Sequence, residues 1–357
     1  MSPDARNDVV AESGHGGAAG EVGGALGGGA GQVQDGGAAD AHPDSADHAA
    51  ADAAGDLLDA ALDLPDTGGG EATGPICLLC SAWGAPQALG VNPSVLPELS
   101  GIAASHLHPG IFYAHNDSGD TARFFAVTEQ MQVNAEIHLS GATATDWEDI
   151  SIGPCPGGAC IYVGDTGDNK LDRSQYVIHR LVEPATLPSD GSVVSISSAS
   201  YDSFPFVYPD GSHNAETLLV HPVTGQVFIV IKEAGIPATV YEMPLPLKPG
   251  QEVTLVKVAS LAIPLSEGVV TDGSFHPCGD KVLIRTTAVT GLFELTRLPG
   301  QSLTDLFMAP PVMVPLAAEP QGEAVTYGLD GRSYFTGSET VSGEDTPSLS
   351  RVSCTSP

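Results

Sequence analysis

The chain has 357 residues and a formal net charge of −31 at pH 7, with 44 acidic residues against 13 basic ones. A field of that sign disfavours nucleic acid and anionic membrane surfaces as partners, and no apolar run approaches the roughly 20 residues that a membrane span needs. The expected protein is a monomer whose partner is an unidentified small molecule or protein.

Residues 1–74 are Gly, Ala and Asp with almost no aromatic or β-branched content, and their 14 acidic residues against one basic leave about −18 for the remainder. Such a segment cannot bury enough apolar surface to offset the entropy of ordering. The expectation is a disordered acidic tail over 1–74 ahead of one domain over 75–357, with a weak helix from Asp52 to Leu64 as the alternative. Met1 to Val10 is polar and does not read as a secretory signal. A Gly/Ala/Asp tether before a strand-rich domain with paired cysteines still fits a secreted or lipoprotein-like protein, so an extracytoplasmic location is expected, with the signal segment missing from the given sequence.

Past Trp83 the chain breaks into short β-branched runs with almost no helical periodicity, punctuated by many of its 28 prolines and 43 glycines. An all-β domain follows. Five stretches repeat one pattern: Leu99 to Ile102 (LSGI), Asp146 to Ile152 (DWEDISI), Asn214 to Val220 (NAETLLV), Val270 to Phe275 (VTDGSF) and Gln321 to Tyr327 (QGEAVTY). Their openers, Ser100, Glu148, Glu216, Thr271 and Glu323, carry a hydroxyl or a carboxylate and recur about every 50 to 70 residues. That period suits a β-propeller of four-stranded blades, five in number, with six as the alternative.

In chain order, Gln87 to Val91 is a leading strand expected to pair with the last blade and close the ring. Blade one is expected as Ser100–Ala104, Ile111–Ala114, Phe124–Val127 and Ala135–Leu139. Blade two follows as Glu148–Ile152, Cys160–Val163, Tyr176–Leu181 and a long outer segment from Val193 to Phe206. Blade three is Glu216–Val220, Val227–Lys232, Thr239–Met243 and Val253–Ile263. Blade four is Thr271–Phe275, Lys281–Thr286, Leu292–Leu295 and Val312–Leu316. Blade five, Glu323–Tyr327, Ser333–Thr336 and Ser348–Val352, is one strand short, and the leading strand supplies it. Pro154, Pro222 and Pro277 each fall six residues after their opener, which favours Thr271 over the alternative Asp272 as the axial position of blade four.

Six cysteines point to an oxidising compartment. Cys155 and Cys160 straddle a Pro-Gly-Gly turn and suit a hairpin disulfide. Cys77 and Cys80 form a C-x-x-C, and Cys278 and Cys354 are candidates to pair across the ring closure. Zinc would need four converging ligands, and no histidine pair flanks these cysteines.

The innermost strand of each blade runs along the propeller axis, so Ser100, Glu148, Glu216, Thr271 and Glu323 can face one point. Three carboxylates meeting there without partners repel one another and resist desolvation. A hard divalent cation removes that cost, and Ca²⁺ takes six to eight oxygens. The plainer alternative has the three glutamates accepting hydrogen bonds around a water-filled channel. A second set follows strand two: His115 to Asp120 (HNDSGD) and Gly164 to Asn169 (GDTGDN) are the same turn in blades one and two. Such residues favour tight turns for local reasons, while the functional alternative has His115, Asp117, Asp165 and Asp168 reaching the cation or a substrate. Lys232 and Arg285 fill that slot in blades three and four, either clamping a phosphate or carboxylate or neutralising Glu216 and Asp165 as buried ion pairs. No G-x-S-x-G elbow, H-E-x-x-H or P-loop occurs.

The inner-strand series LSGI, WEDISI, AETLLV, TDGSF and GEAVTY resembles that of the five-bladed calcium-activated nucleotidases, the apyrases. The resemblance implies a channel calcium held by Ser100, Glu148, Glu216, Thr271 and Glu323, with Thr271 standing where that family has serine. It covers the inner strands alone. The phrases HNDSGD, DWEDI, GDTGDN and QGEA resemble, over most of the domain, a group of exported bacterial propellers to which no reaction is attached. Two functions remain: a propeller with an axial calcium that binds a ligand or partner on its loop face, or a metal-dependent phosphohydrolase or esterase acting on a small anionic substrate.

Overall fold

The computed structural model describes residues 80–340 and 348–356, all within one compact unit. The 1–74 tail, its alternative helix and Cys77 lie outside the described residues. The chain enters through β1 (Ala82–Trp83) and β2 (Gln87–Gly90) and then builds blade one from β3 (Leu99–Ala104), β4 (Ile111–Asn116), β5 (Arg123–Thr128) and β6 (Val133–Leu139). Blade two is β7 (Trp147–Cys155), β8 (Gly158–Asp165) and β9 (Tyr176–Val182), with β10 (Ser192–Ile196) and β11 (Tyr201–Val207) after it in the chain. Blade three is β12 (Ala215–Val220), β13 (Val227–Ile231) and β14 (Thr239–Glu242), followed by β15 (Val253–Thr254) and β16 (Val256–Ser260). Blade four is β17 (Val270–Phe275), β18 (Lys281–Thr286), β19 (Leu292–Thr296), the short helix α1 (Leu303–Phe307) and β20 (Val312–Met313). Blade five is β21 (Gly322–Tyr327), β22 (Ser333–Ser338) and β23 (Leu349–Ser356).

The fold is a five-bladed propeller. Inner strands β3, β7, β12, β17 and β21 each touch the next, and β21 returns to β3. Each of the five apolar cores is a seam between neighbouring blades. Tyr162 and Phe206 of blade two meet Leu218 and Tyr241 of blade three, and Leu99 and Phe112 of blade one meet Ala324 and Phe335 of blade five. Blade five is completed by the start of the chain, because β1 and β2 both pair antiparallel with β23. No free edge is left where the ring closes.

Two outer segments differ from expectation. Val193 to Phe206 is not one strand: a turn at Ser198–Ser200 splits it, β10 adds parallel to β6 of blade one, and only β11 completes blade two. Val253 to Ile263 splits likewise, with β15 parallel to β11 of blade two and β16 antiparallel to β14. Each linker thus covers the outer edge of the preceding blade before joining its own. Cys155 pairs with Cys160 as expected, but Cys354 pairs with Cys80 rather than Cys278. The pairing Trp83↔Cys354 brings Cys80 alongside β23, whereas Cys278 sits in the β17–β18 turn and is disulfide-bonded too. Among the described residues no helix is long and apolar enough to cross a membrane.

Candidate metal centre in the channel mouth

Every inner strand loses register with its neighbour at the same place. The break falls between Leu99 and Ile102, Trp147 and Asp149, Ala215 and Thr217, Val270 and Asp272, and Gly322 and Ala324. The residues left out of the pairing are Ser100 with Gly101, Glu148, Glu216, Thr271 and Glu323, the same five openers. A β-bulge frees its extra residue from the ladder and re-aims the side chain. Five equivalent bulges therefore ring one end of the axis.

The five side chains do different things there. Ser100 Oγ donates to the backbone carbonyl of Glu148 at 2.6 Å, and Thr271 Oγ1 is buried with no hydrogen-bond partner. Glu216 forms an ion pair with Lys232, whose ammonium also lies in the field of Glu323 and Glu148 and is held charged by all three. Glu148 is only 3% exposed, and no described residue donates a hydrogen bond to its carboxylate. Its nearest company is acidic: ligand oxygens of Asp117, Asp146 and Glu148 all lie within 4.8 Å of one another. Burial and then the neighbouring carboxylates raise Asp146 to about 6 and Glu148 well above the usual range, while burial raises Glu216 against the opposing pull of Lys232. Glu339 joins the same field, raised to about 7 by burial and by Glu323, Asp117 and Glu98.

The HNDSGD turn supplies Asp117 to this cluster, and the GDTGDN turn sets it without lining it. Asp165 is saturated: it accepts from the Thr145 and Asp146 amides at 3.0 and 3.1 Å and pairs with Arg173 at 2.8 Å. The Thr166 and Gly167 amides in turn donate to the Asp146 carbonyl, so the GDTGDN turn grips Asp146 from both sides. Asp168 accepts from the Asp172 and Arg173 amides and from the Tyr176 hydroxyl, and faces those donors. Gly167 lies directly under the cluster, where a Cβ would stand 2.1 Å from Glu148 Oε1 and 2.4 Å from Asp146 Oδ2. Arg285 is buried and spent on Glu319 and on the carbonyls of Ala324 and Gly337. His115 is fully buried, its Nδ1 bonded to the Asn116 carbonyl at 2.8 Å and its Nε2 without a partner. Burial keeps this imidazole neutral.

One residue beyond the bulges, Asp149 of blade two and Asp272 of blade four hydrogen-bond to each other across the axis. Asp149 also accepts from the amides of Ile150 and Leu218, and Asp272 from those of Gly273 and Val325. Two carboxyl groups this close and this buried share a proton, and Asp149 is raised to about 8, first by burial. The dyad closes the channel floor. Beyond it the axis holds a cavity of about 40 Å³ lined by Ile102, Ile150, Val220 and Phe275, room for a water or two.

Asp146, Glu339 and Asp149 were not nominated from the sequence, and Asp272 only as the alternative axial residue of blade four. DWED did carry a signal, since acids two before and one after an axial glutamate belong to the same rim, and the bulge turns two successive residues toward the axis. No family model matches the sequence, and no curated protein does. Among solved structures, the chain is similar to a gluconolactonase from Xanthomonas campestris at 11% identity and TM-score 0.40, covering 75% of this chain and 89% of that one. It is similar to hydrazine synthase from Kuenenia stuttgartiensis at 12% identity and TM-score 0.41, over 75% and 98%. The WD40 repeats of RRP9 are matched at 10% identity and TM-score 0.37, over 72% and 67%. Such distant likeness says nothing of chemistry, which is read here from the residues of the mouth.

Proposed function

We propose that this protein is an extracytoplasmic propeller whose mouth binds a divalent cation, and whose loop face presents that cation to a small anionic ligand. Asp117, Asp146 and Glu148 would hold the ion, with Glu216 and Glu323 behind them. One observation carries the reading: Glu148 is a buried carboxylate that accepts no hydrogen bond from any described residue and faces two further carboxylates. Leaving such a group ionised and unpaired costs several kcal/mol, and one hard cation relieves all three acids together. Gly167 supports it, since only a residue without a side chain leaves Glu148 and Asp146 their present positions. The disulfides support a location outside the reducing cytoplasm.

The test is calorimetric titration of chelator-treated protein with Ca²⁺, Mg²⁺ and Mn²⁺, alongside thermal melts with and without chelator. Saturable binding of one ion is expected, with about 2.7 kcal/mol of stabilisation at a hundred times Kd, and Glu148→Gln should abolish both. No heat and identical melts would overturn the reading. A metal-dependent hydrolase is the second reading, favoured by Glu339, raised to about 7 at the same mouth and outside the three ligands, where proton transfer at neutral pH is within reach. Turnover of phosphate esters, nucleoside diphosphates or carboxylic esters only with the ion present would establish it.

A further inference from the structure

The carboxylates of the mouth divide into two groups by what stands beside them. Glu216 is ion-paired with Lys232, and Glu323 lies in the fields of both Lys232 and Arg285. Asp117, Asp146 and Glu148 have no ion-pair partner among the described residues. The nearest arginine, Arg173, is committed to Asp165 and to the Gly167 carbonyl. Lys232 itself follows the last residue of β13, in blade three, yet it interacts with Glu148 of blade two and Glu323 of blade five as well as Glu216 of its own blade. Of the glutamates that the sequence offers to an ion, Glu216 already holds a cation, supplied by the protein on a four-carbon tether.

We propose that Lys232 determines which divalent ion the mouth accepts, by holding Glu216 in an ion pair, with Glu323 in its field, and leaving an incoming ion the three oxygen donors Asp117, Asp146 and Glu148. The inference rests on the cation reading above and adds to it the class of ion. Three carboxylates that each offer one oxygen leave Ca²⁺ short of the six to eight it takes at roughly 2.3 to 2.6 Å. They suit Mg²⁺ or Mn²⁺ better, small ions that keep several of their own waters.

Replacing the lysine removes a positive charge and returns Glu216 and Glu323 to the pool of donors. Lys232→Met should then raise Ca²⁺ affinity relative to Mg²⁺ by at least about tenfold, while Lys232→Arg, which keeps the tethered charge, should keep the native preference. The experiment is calorimetric titration of the native full-length chain and both variants with Mg²⁺, Mn²⁺ and Ca²⁺ separately, with circular dichroism confirming the fold of each. Should Lys232→Met not fold, the double variant Glu216→Gln with Lys232→Met leaves no glutamate stripped of its ion pair and carries the same comparison. A Ca²⁺/Mg²⁺ ratio that is the same in native and variant protein overturns the role of Lys232 while the cation site stands. Absence of binding in every protein overturns the site itself, and the selectivity with it.

Discussion

At the scale of single residues, the mouth depends on what Gly167 does not have. Its backbone passes beneath Glu148 and Asp146 so closely that a methyl group would overlap both carboxylates. Gly167→Ala must move one of them, and the ligand oxygens lose their common reach. Divalent-ion affinity should fall at least about tenfold, because affinity follows ligand number and placement. Folding stability should change by less than about 2 kcal/mol, since no apolar seam is touched. Titration calorimetry and urea unfolding of the same preparation separate the two, and unaltered affinity would show that the GDTGDN turn does not fix the cluster. Asp165 is the complementary case: a carboxylate that looks like a ligand in sequence is instead the anchor that holds the Asp146 amide and Arg173.

At the scale of elements, most strands were legible because alternating β-branched runs ended at Pro, Gly or Asx turns, and all five bulges fall on residues that the spacing had singled out. The outer segments were not. Val193 to Phe206 reads as one β-rich run, and only the geometry of two finished blades decides that its halves join different sheets. Lys232 was visible as a cation near acids, but which of them it pairs with depends on the folded blade, which no local pattern encodes. The turns between the two innermost strands repeat a device of their own. His221 Nε2 bonds the Gly279 carbonyl of the next blade, and His276 Nε2 bonds that of Gly331, while each Nδ1 accepts backbone amides of its own turn. Gly279 and Gly331 have positive φ, and a Cβ on either would stand 2.4 Å from the ring nitrogen. Both histidines are held below their ordinary pKa, first by burial. For a base whose folded-state pKa is depressed, the contribution to stability is complete above about pH 6.5, where both states are neutral. It is lost as pH falls below that value and the unfolded chain takes the proton first, at about 1.4 kcal/mol per pH unit per histidine. His276→Gln should therefore be less stable than the native protein by about 1 to 2 kcal/mol at pH 8, and the gap should close as pH drops from 6.5 toward 5. Urea unfolding at each pH checks it; a gap independent of pH would mean that the neutral imidazole is not the stabilising form.

At the scale of the molecule, five seams of buried side chains hold blade to blade, and four of them join consecutive parts of the chain. The fifth, between blades five and one, brings together residues more than 200 positions apart, such as Leu99 and Phe335. Closing it is the long-range step, because loop entropy must be met before the contacts form. Three features act at that closure: β1 and β2 on β23, the Cys80–Cys354 disulfide, and the Lys281 ammonium, which bonds both Glu294 and the Cys80 carbonyl. The disulfide spans 274 residues. In the chain-entropy account a bridge over so long a loop removes on the order of 5 kcal/mol of unfolded-state freedom. Cys155–Cys160 closes a loop of 5 residues and contributes far less by the same reasoning. Replacing Cys80 and Cys354 together by serine should lower the melting temperature by roughly 10 °C for a domain of this size, whereas replacing Cys155 and Cys160 together should lower it by less than about half as much. Differential scanning calorimetry of the two double variants gives the comparison. Equal shifts would place the strength of the ring in its seams alone, with the closure bond adding nothing that β1 and β2 do not already provide.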